Sequence, residues 1–279
     1  MKKTLYFILA IVLVAQAAFA SQIIIGRKKG YYNDFSADTN CVAVYNFESG
    51  ALTTDSKGSN TLTDINGVGT DTTNFIQGAA SAYFQKANTE AFTVEEANLS
   101  ADFPLKDADS TKNFSVVVWF RIASMPASGD NYDLVTKSSW NTAALRSFAV
   151  GLGNTAGDTE LYFLACNSDG SILELVPNTY NLSVDTWYCG IITYQNSDMG
   201  YSVRLRDAAG GVLGTDLTGV FTLDANKINA AAGNFTIGAV HSTGSTYLVP
   251  FDGEIDQVVI FKDVLTEAEA TNIAKGVYR

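Results

Sequence analysis

The stretch that decides the fold is Val249–Gly276, VPFDGEIDQVVIFKDVLTEAEATNIAKG. Gly253 to Phe261 reads as a strand with acidic residues near its start and an uninterrupted apolar end. Lys262-Asp263-Val264-Leu265 reads as a turn. Thr266 followed by Glu269 forms a capping box, Glu267 and Glu269 sit in the first turn, Lys275 lies in the last, and Gly276 stands just past the end. The segment therefore predicts a closing β-strand followed by one short helix over 266–275.

Upstream the pattern is β throughout. Short apolar runs bounded by Gly, Asn, Asp and Ser cover 42–47, 81–84, 114–122, 132–136, 147–152, 160–166, 171–175, 187–194, 201–206 and 235–237. Alternation is plain in the run starting at Tyr201: Tyr201, Val203 and Leu205 point one way, and Ser202, Arg204 and Arg206 the other. Phe114 to Ile122 is apolar on both faces, as a central strand requires. Residues 86–101 admit one turn of helix. Strand and helix do not alternate, which argues against a parallel α/β fold.

The first twenty residues have the form of a secretory signal: Lys2 and Lys3, the apolar run Leu5 to Val14, then Ala18-Phe19-Ala20 at a cleavage site. That run is too short for a membrane span of about 20 residues. The expected product is secreted or on the cell-envelope surface, with no transmembrane segment in the mature chain. Residues 21–40 read as an N-terminal extension and 41–279 as one β-domain. Ile23-Ile24-Ile25 in the extension could add a strand to a sheet edge, either its own or that of a second copy.

The formal net charge is −11, and losing Lys2 and Lys3 makes it more negative. So acidic a surface argues against nucleic acid and is compatible with cations or neutral glycans. The cysteines are Cys41, Cys166 and Cys189. Export permits a disulfide, and Cys166 with Cys189 is the candidate pair, leaving an odd thiol.

Several pieces in order resemble the laminin-G-like, concanavalin A-like lectin and glucanase jelly rolls. Val42-Ala43-Val44-Tyr45-Asn46-Phe47 resembles the opening strand, Asp55-Ser56-Lys57-Gly58-Ser59-Asn60 the turn after it, and 78–84 (GAASAYF) the next strand entry. Phe114 to Phe120, Asp185-Thr186-Trp187-Tyr188, Phe235-Thr236-Ile237-Gly238 and the closing segment follow in sequence. The resemblance implies an all-β, antiparallel two-sheet jelly-roll sandwich with one C-terminal helix. It departs from the family pattern at Gln85, at Tyr188 and Cys189, and at Gln257.

The resemblance also implies a calcium ion between the first turn and the last strand. Asp256 would be one ligand, with Asp55 and carbonyls near Gly58 and Asn60 the other half. Glu254 and Asp256 match half of a glucanase carboxylate strand. The next same-face positions are Val258 and Ile260, so the second carboxylate that hydrolysis needs is missing. The only histidine, His241, reads as an exposed loop residue with no triad around it. The expected protein is not an enzyme. Its expected partner is a glycan or glycoprotein, met by loop aromatics beside amides: Trp140 with Asn141, Tyr132 beside Asp130 and Asn131, and Tyr247. Trp119 and Trp187 are expected in the core. The rival reading is a structural subunit that self-associates through residues 21–40.

Overall fold

The computed structural model describes residues 33–155, 157–167, 169–170, 173–223 and 227–278. The expected leader and residues 21–32 of the expected extension lie outside them.

The strands, in chain order, are β1 (Cys41–Tyr45), β2 (Thr63–Ile65), β3 (Gly69–Asp71), β4 (Ser81–Phe84), β5 (Ala91–Val94), β6 (Phe114–Ile122), β7 (Asn131–Ser138), β8 (Arg146–Thr155) and β9 (Asp158–Cys166). They continue as β10 (Leu173–Thr179), β11 (Trp187–Gln195), β12 (Gly200–Asp207), β13 (Leu217–Val220), β14 (Phe235–Ile237), β15 (Val240–His241), β16 (Tyr247–Leu248) and β17 (Gly253–Phe261). One helix, α1 (Glu267–Ala274), follows. Sheet one runs β13-β12-β11-β6-β17-β4-β3, with β1 also paired to β17; sheet two runs β10-β9-β8-β7-β14-β5-β2. All pairings are antiparallel. The expected jelly-roll sandwich is the fold.

The periodicity sorts the faces. Val116, Val118 and Phe120 of β6, Ile255, Val258 and Ile260 of β17, and Phe148, Val150 and Leu152 of β8 meet in the central core. Tyr45, Phe47, Phe92 and Phe84 continue it as a chain of ring contacts. On β6 the alternate residues Val117 and Trp119 are buried too, because α1 covers that side. Ile273 and Ala270 of the helix pack there with Phe261, Leu265 and Phe35. The capping box is formed: Thr266 Oγ1 accepts from Glu269 N, and Glu269 Oε2 accepts from Thr266 N. Trp119 lies in this layer as expected, whereas Trp187 is only half-buried against it.

Four expectations change. Residues 86–101 hold strand β5 between two 3-10 turns, because Phe92 and Val94 bury inward in a strand that pairs with β14. Residues 33–40, read as part of the extension, pack against the sandwich. Asn33 Nδ2 donates to Ile273 O, Asp34 N donates to Tyr278 O, and Phe35 packs edge-on against Phe261, so residues 33–40 belong to the folded body. His241 is buried, not exposed: Nδ1 pairs with Ser139 Oγ at 2.9 Å and Nε2 with Gly244 O at 3.1 Å, which pins the β15–β16 turn.

The fourth concerns the cysteines. All three are free and buried. Cys189 faces the helix layer outside sheet one, and Cys166 sits in a cluster outside sheet two. The whole sandwich separates them, and packed sheets stand about 10 Å apart, beyond the reach of a disulfide. Burial pushes the Cys41 and Cys166 thiols up to about 12, so neither is a thiolate at neutral pH. A thiol reagent should find all three groups after denaturation without reductant and almost none in the native protein. Recovery of a single reactive thiol would contradict this arrangement.

Candidate functional site

The two outer faces differ. The middle of sheet one is covered by α1, which packs on Val117, Trp119, Cys189, Ile191, Val259 and Phe261. The outer face of sheet two is crossed by the β15–β16 hairpin, which leaves a trough on either side. Trp140 N donates to His241 O and Asp133 N donates to Val249 O, so the hairpin is anchored along β7.

The first trough lies over β7 to β10. The register sets Pro177, Tyr162, Gly151 and Asp133 in one row across the sheet, and Leu175, Leu164, Ala149 and Thr136 in the next. On β8 the outward residues are Ala149, Gly151 and Gly153, which make a floor with almost no side chains. Gly151 is required there, because a Cβ would collide with the Tyr162 ring and the Tyr132 carbonyl. The Tyr162 ring therefore lies across the strand, and its hydroxyl donates to Asp133 Oδ1.

The result is a small pocket of about 70 Å³. Trp140, Leu164, Leu175, Val240 and Val249 wall it, and Asp133, Tyr162 and Asn131 supply its polar end. Arg146 fixes Trp140: its Nε donates to the Trp140 carbonyl at 2.6 Å, and its guanidinium lies 4.6 Å from the indole centroid. Leu175, 45% exposed, forms an apolar rim.

Asp133 is buried in this floor, and burial pushes its carboxyl up to about 7 against the opposing effect of the Tyr162 hydrogen bond. The same burial pushes Tyr162 well above its usual range. A raised acid binds its proton more tightly folded than unfolded. Its contribution to stability is thus full below about pH 4 and is lost as pH rises through 7. Asp133→Asn should leave stability near wild type at pH 4 and exceed it at pH 8 by up to roughly 4 kcal/mol. Denaturant titrations at the two pH values check this, and a variant weaker at pH 8 would refute it.

The second trough, about 430 Å³, lies beyond the hairpin over β14, β5 and β2. Tyr247, Thr93, Asn234, Asp64 and Glu95 help to line it. The four predicted sugar contacts are therefore not one site. Trp140 walls the first trough and Tyr247 the second. Asn141 is exposed next to Trp140. Tyr132 is 1% exposed and packs edge-on against Phe251 in the core, so it is no contact. Tyr162 and Asp133 were not singled out from sequence. The signal that could have found them is the outward alternation of Ala149, Gly151 and Gly153.

The predicted calcium set does not fit an ion. Asp55 Oδ1 accepts from the backbone N–H groups of Val44, Lys57 and Gly58, and Oδ2 from Asn60 N and Nδ2. Gly58 and Asn60 thus present donors to Asp55, and the Asn60 carbonyl is taken by the Tyr45 hydroxyl at 2.8 Å. Donors encircle a carboxylate and would repel a cation. Asp256 lies apart, with Oδ2 accepting from Ile76 N and Gln77 N; burial pushes its carboxyl well up. Among the described residues no three acidic, histidine or cysteine side chains converge. Glu254 is held by Arg121 at 2.8 Å. Asp55→Ala should cost on the order of 4 kcal/mol by orphaning buried donors, equally with calcium or with a chelator present. A loss that appears only when calcium is removed would restore the ion.

No curated protein matches the chain. Solved structures share the fold. Domain 4 of AbnA, a GH43 extracellular arabinanase from Geobacillus stearothermophilus in complex with arabinotriose, is 15% identical with a TM-score of 0.55, over 84% of this chain and 98% of that one. The binding domain of botulinum neurotoxin DC in complex with SialylT is 13% identical with a TM-score of 0.60, over 86% and 52%. A botulinum neurotoxin type C structure, described as entering cells through two ganglioside molecules, is 12% identical with a TM-score of 0.59, over 86% and 52%. The chain spans about half the length of both neurotoxin chains. Residues 89–271, from β5 into α1, match the family described as the concanavalin A-like lectin/glucanases superfamily, and the chain belongs to it.

Proposed function

We propose that this protein is a secreted, non-catalytic carbohydrate-binding domain whose binding surface is the outer face of sheet two. The observation that carries the reading is the pocket walled by Trp140 and floored by Tyr162 and Asp133. It combines what sugar sites need: an aromatic face for the apolar side of a ring, and a few fixed polar groups for hydroxyls and amides. Arg146 holds the indole from one side, and the trough itself is set by strand register. Little ordering therefore remains to be done on binding.

The family and the sugar-bound neighbours support the same reading. The arabinanase domain named above is in complex with arabinotriose, and the neurotoxin DC binding domain with SialylT. The pocket's ionisable group is an acid and the chain is acidic, which favours a neutral glycan over a sialylated one. The non-catalytic part rests on how the acids are used. Glu254 is tied to Arg121 and Asp256 to two backbone N–H groups, so neither is poised beside a cleft. Export rests on the leader-like residues 1–20. Calcium forms no part of the proposal. Assembly through residues 21–40 is left with 21–32 alone, because 33–40 are built into the body.

A glycan array followed by calorimetry on the strongest ligand tests the reading. Trp140→Ala should weaken binding about tenfold or more, roughly 1–2 kcal/mol, with the melting temperature little changed. Undiminished affinity in that variant, or silence across the array, would sink it.

A further inference from the structure

The pocket is too small for the ligand class as a whole, and its size selects a substituent. An engineered cavity of about 150 Å³ holds benzene, and one water takes about 30 Å³ of liquid. A pocket of about 70 Å³ therefore takes something smaller than any pyranose ring. The ring itself must stay outside, against Trp140 and the Leu175 rim, and project one group inward.

The lining says which group. Ala149, Leu164, Val240 and Val249 surround the space with methyl and methylene carbon. A hydroxyl or hydroxymethyl pushed there would lose its water without a partner, at a cost of about 1–3 kcal/mol. A methyl group loses nothing. At the inner end stands Asp133. Its Oδ1 accepts from Tyr162, and among the described residues no protein donor reaches Oδ2. The unmet oxygen calls for a donor, so the group that enters must carry a methyl beside an N–H. A 6-deoxy methyl has no polar partner for Asp133, and an O-acetyl ester has no N–H. An acetamido group has the methyl, the donor and the acceptor in one plane.

Resting on the carbohydrate-binding reading, we propose that this pocket is an acetamido pocket and that the protein recognises N-acetylated amino sugars. Gly151 is part of the device, since the Tyr162 ring reaches Asp133 only because no Cβ stands between them. Ala149 sets the depth: a longer side chain at this outward position would fill the space from below without entering the core.

The test compares three trisaccharide probes by calorimetry: the trimer of N-acetylglucosamine, the trimer of glucose with the same linkage, and the de-N-acetylated glucosamine trimer. The N-acetylated trimer should bind at least tenfold tighter than either of the others. Ala149→Leu should erase that difference while keeping the wild-type circular dichroism. Leu175→Ala, at an exposed rim position where misfolding is not a concern, should weaken all three probes together and preserve the ranking. Equal affinity for the acetylated and unacetylated trimers overturns the acetamido pocket and leaves the carbohydrate-binding reading standing. So does a preference that survives in a folded Ala149→Leu. Failure of all three probes and of the wider array overturns both.

Discussion

The structure depends on how one edge of β17 is shared. Its residues 253–255 pair with β4, and its residues 258–261 pair with β1, while β6 follows the other edge throughout. Two strands cannot meet end to end on one edge without leaving backbone groups open between them. The junction falls at Asp256 and Gln257, where a bulge relative to β6 inserts one residue. The bulge lets Ile255 and Val258 both face the core and turns two polar side chains into the gap. Asp256 takes the N–H groups of Ile76 and Gln77, and Gln257 Nε2 and Gln77 Nε2 both donate to Asn46 Oδ1. The closing strand is thereby joined to the first strand and to the segment leading into β4. A fully buried acid in this place is a clamp on chain topology, and its raised pKa is the cost of that position.

The same closing segment decides which face is free. After β17 the chain forms α1, and α1 lands on sheet one, where β6 and β17 offer Val117, Trp119, Val259 and Phe261. That face is consumed in folding. Among the described residues sheet two has no such cover. Its outward residues on β8 are Ala, Gly and Gly, which offer a helix little apolar side chain, and the described chain lays a hairpin of two two-residue strands across the sheet. The open face of sheet two carries both troughs, one on either side of the hairpin.

Much of this was legible. β4, β6, β14 and β17 agree with their apolar runs, and the capping box at Thr266 and Glu269 announced α1. The short strands β2, β3, β15 and β16 were not legible, since two or three residues carry no periodicity. The site was only half legible. Trp140 stands out as an aromatic between strands, but Tyr132 looks the same in sequence and is core. What separates them is register: Tyr132 stands opposite Leu152, which points inward, and Asp133 stands opposite Gly151, which points outward. Pairing partners far apart in the chain decide that, and no single run encodes it.

The acids show why chemistry read from type and spacing alone misled. Asp55, Asp256, Glu254 and Asp133 are all buried, and three of them fall in or beside motifs that suggest metal or catalysis. Burying a carboxylate is costly unless donors meet it. Asp55 meets five N–H groups, Asp256 two, and Glu254 a guanidinium. Asp256 keeps Oδ1 without a partner but is enclosed, whereas Asp133 meets a single phenol and keeps its second oxygen at an open pocket, so its cost of burial is only part compensated within the chain. An acid left short of donors at the floor of an open pocket is where a ligand's N–H gains most. Asp133, which lies in no motif, is thus the carboxylate placed to meet a ligand, and those within motifs are spent on the fold.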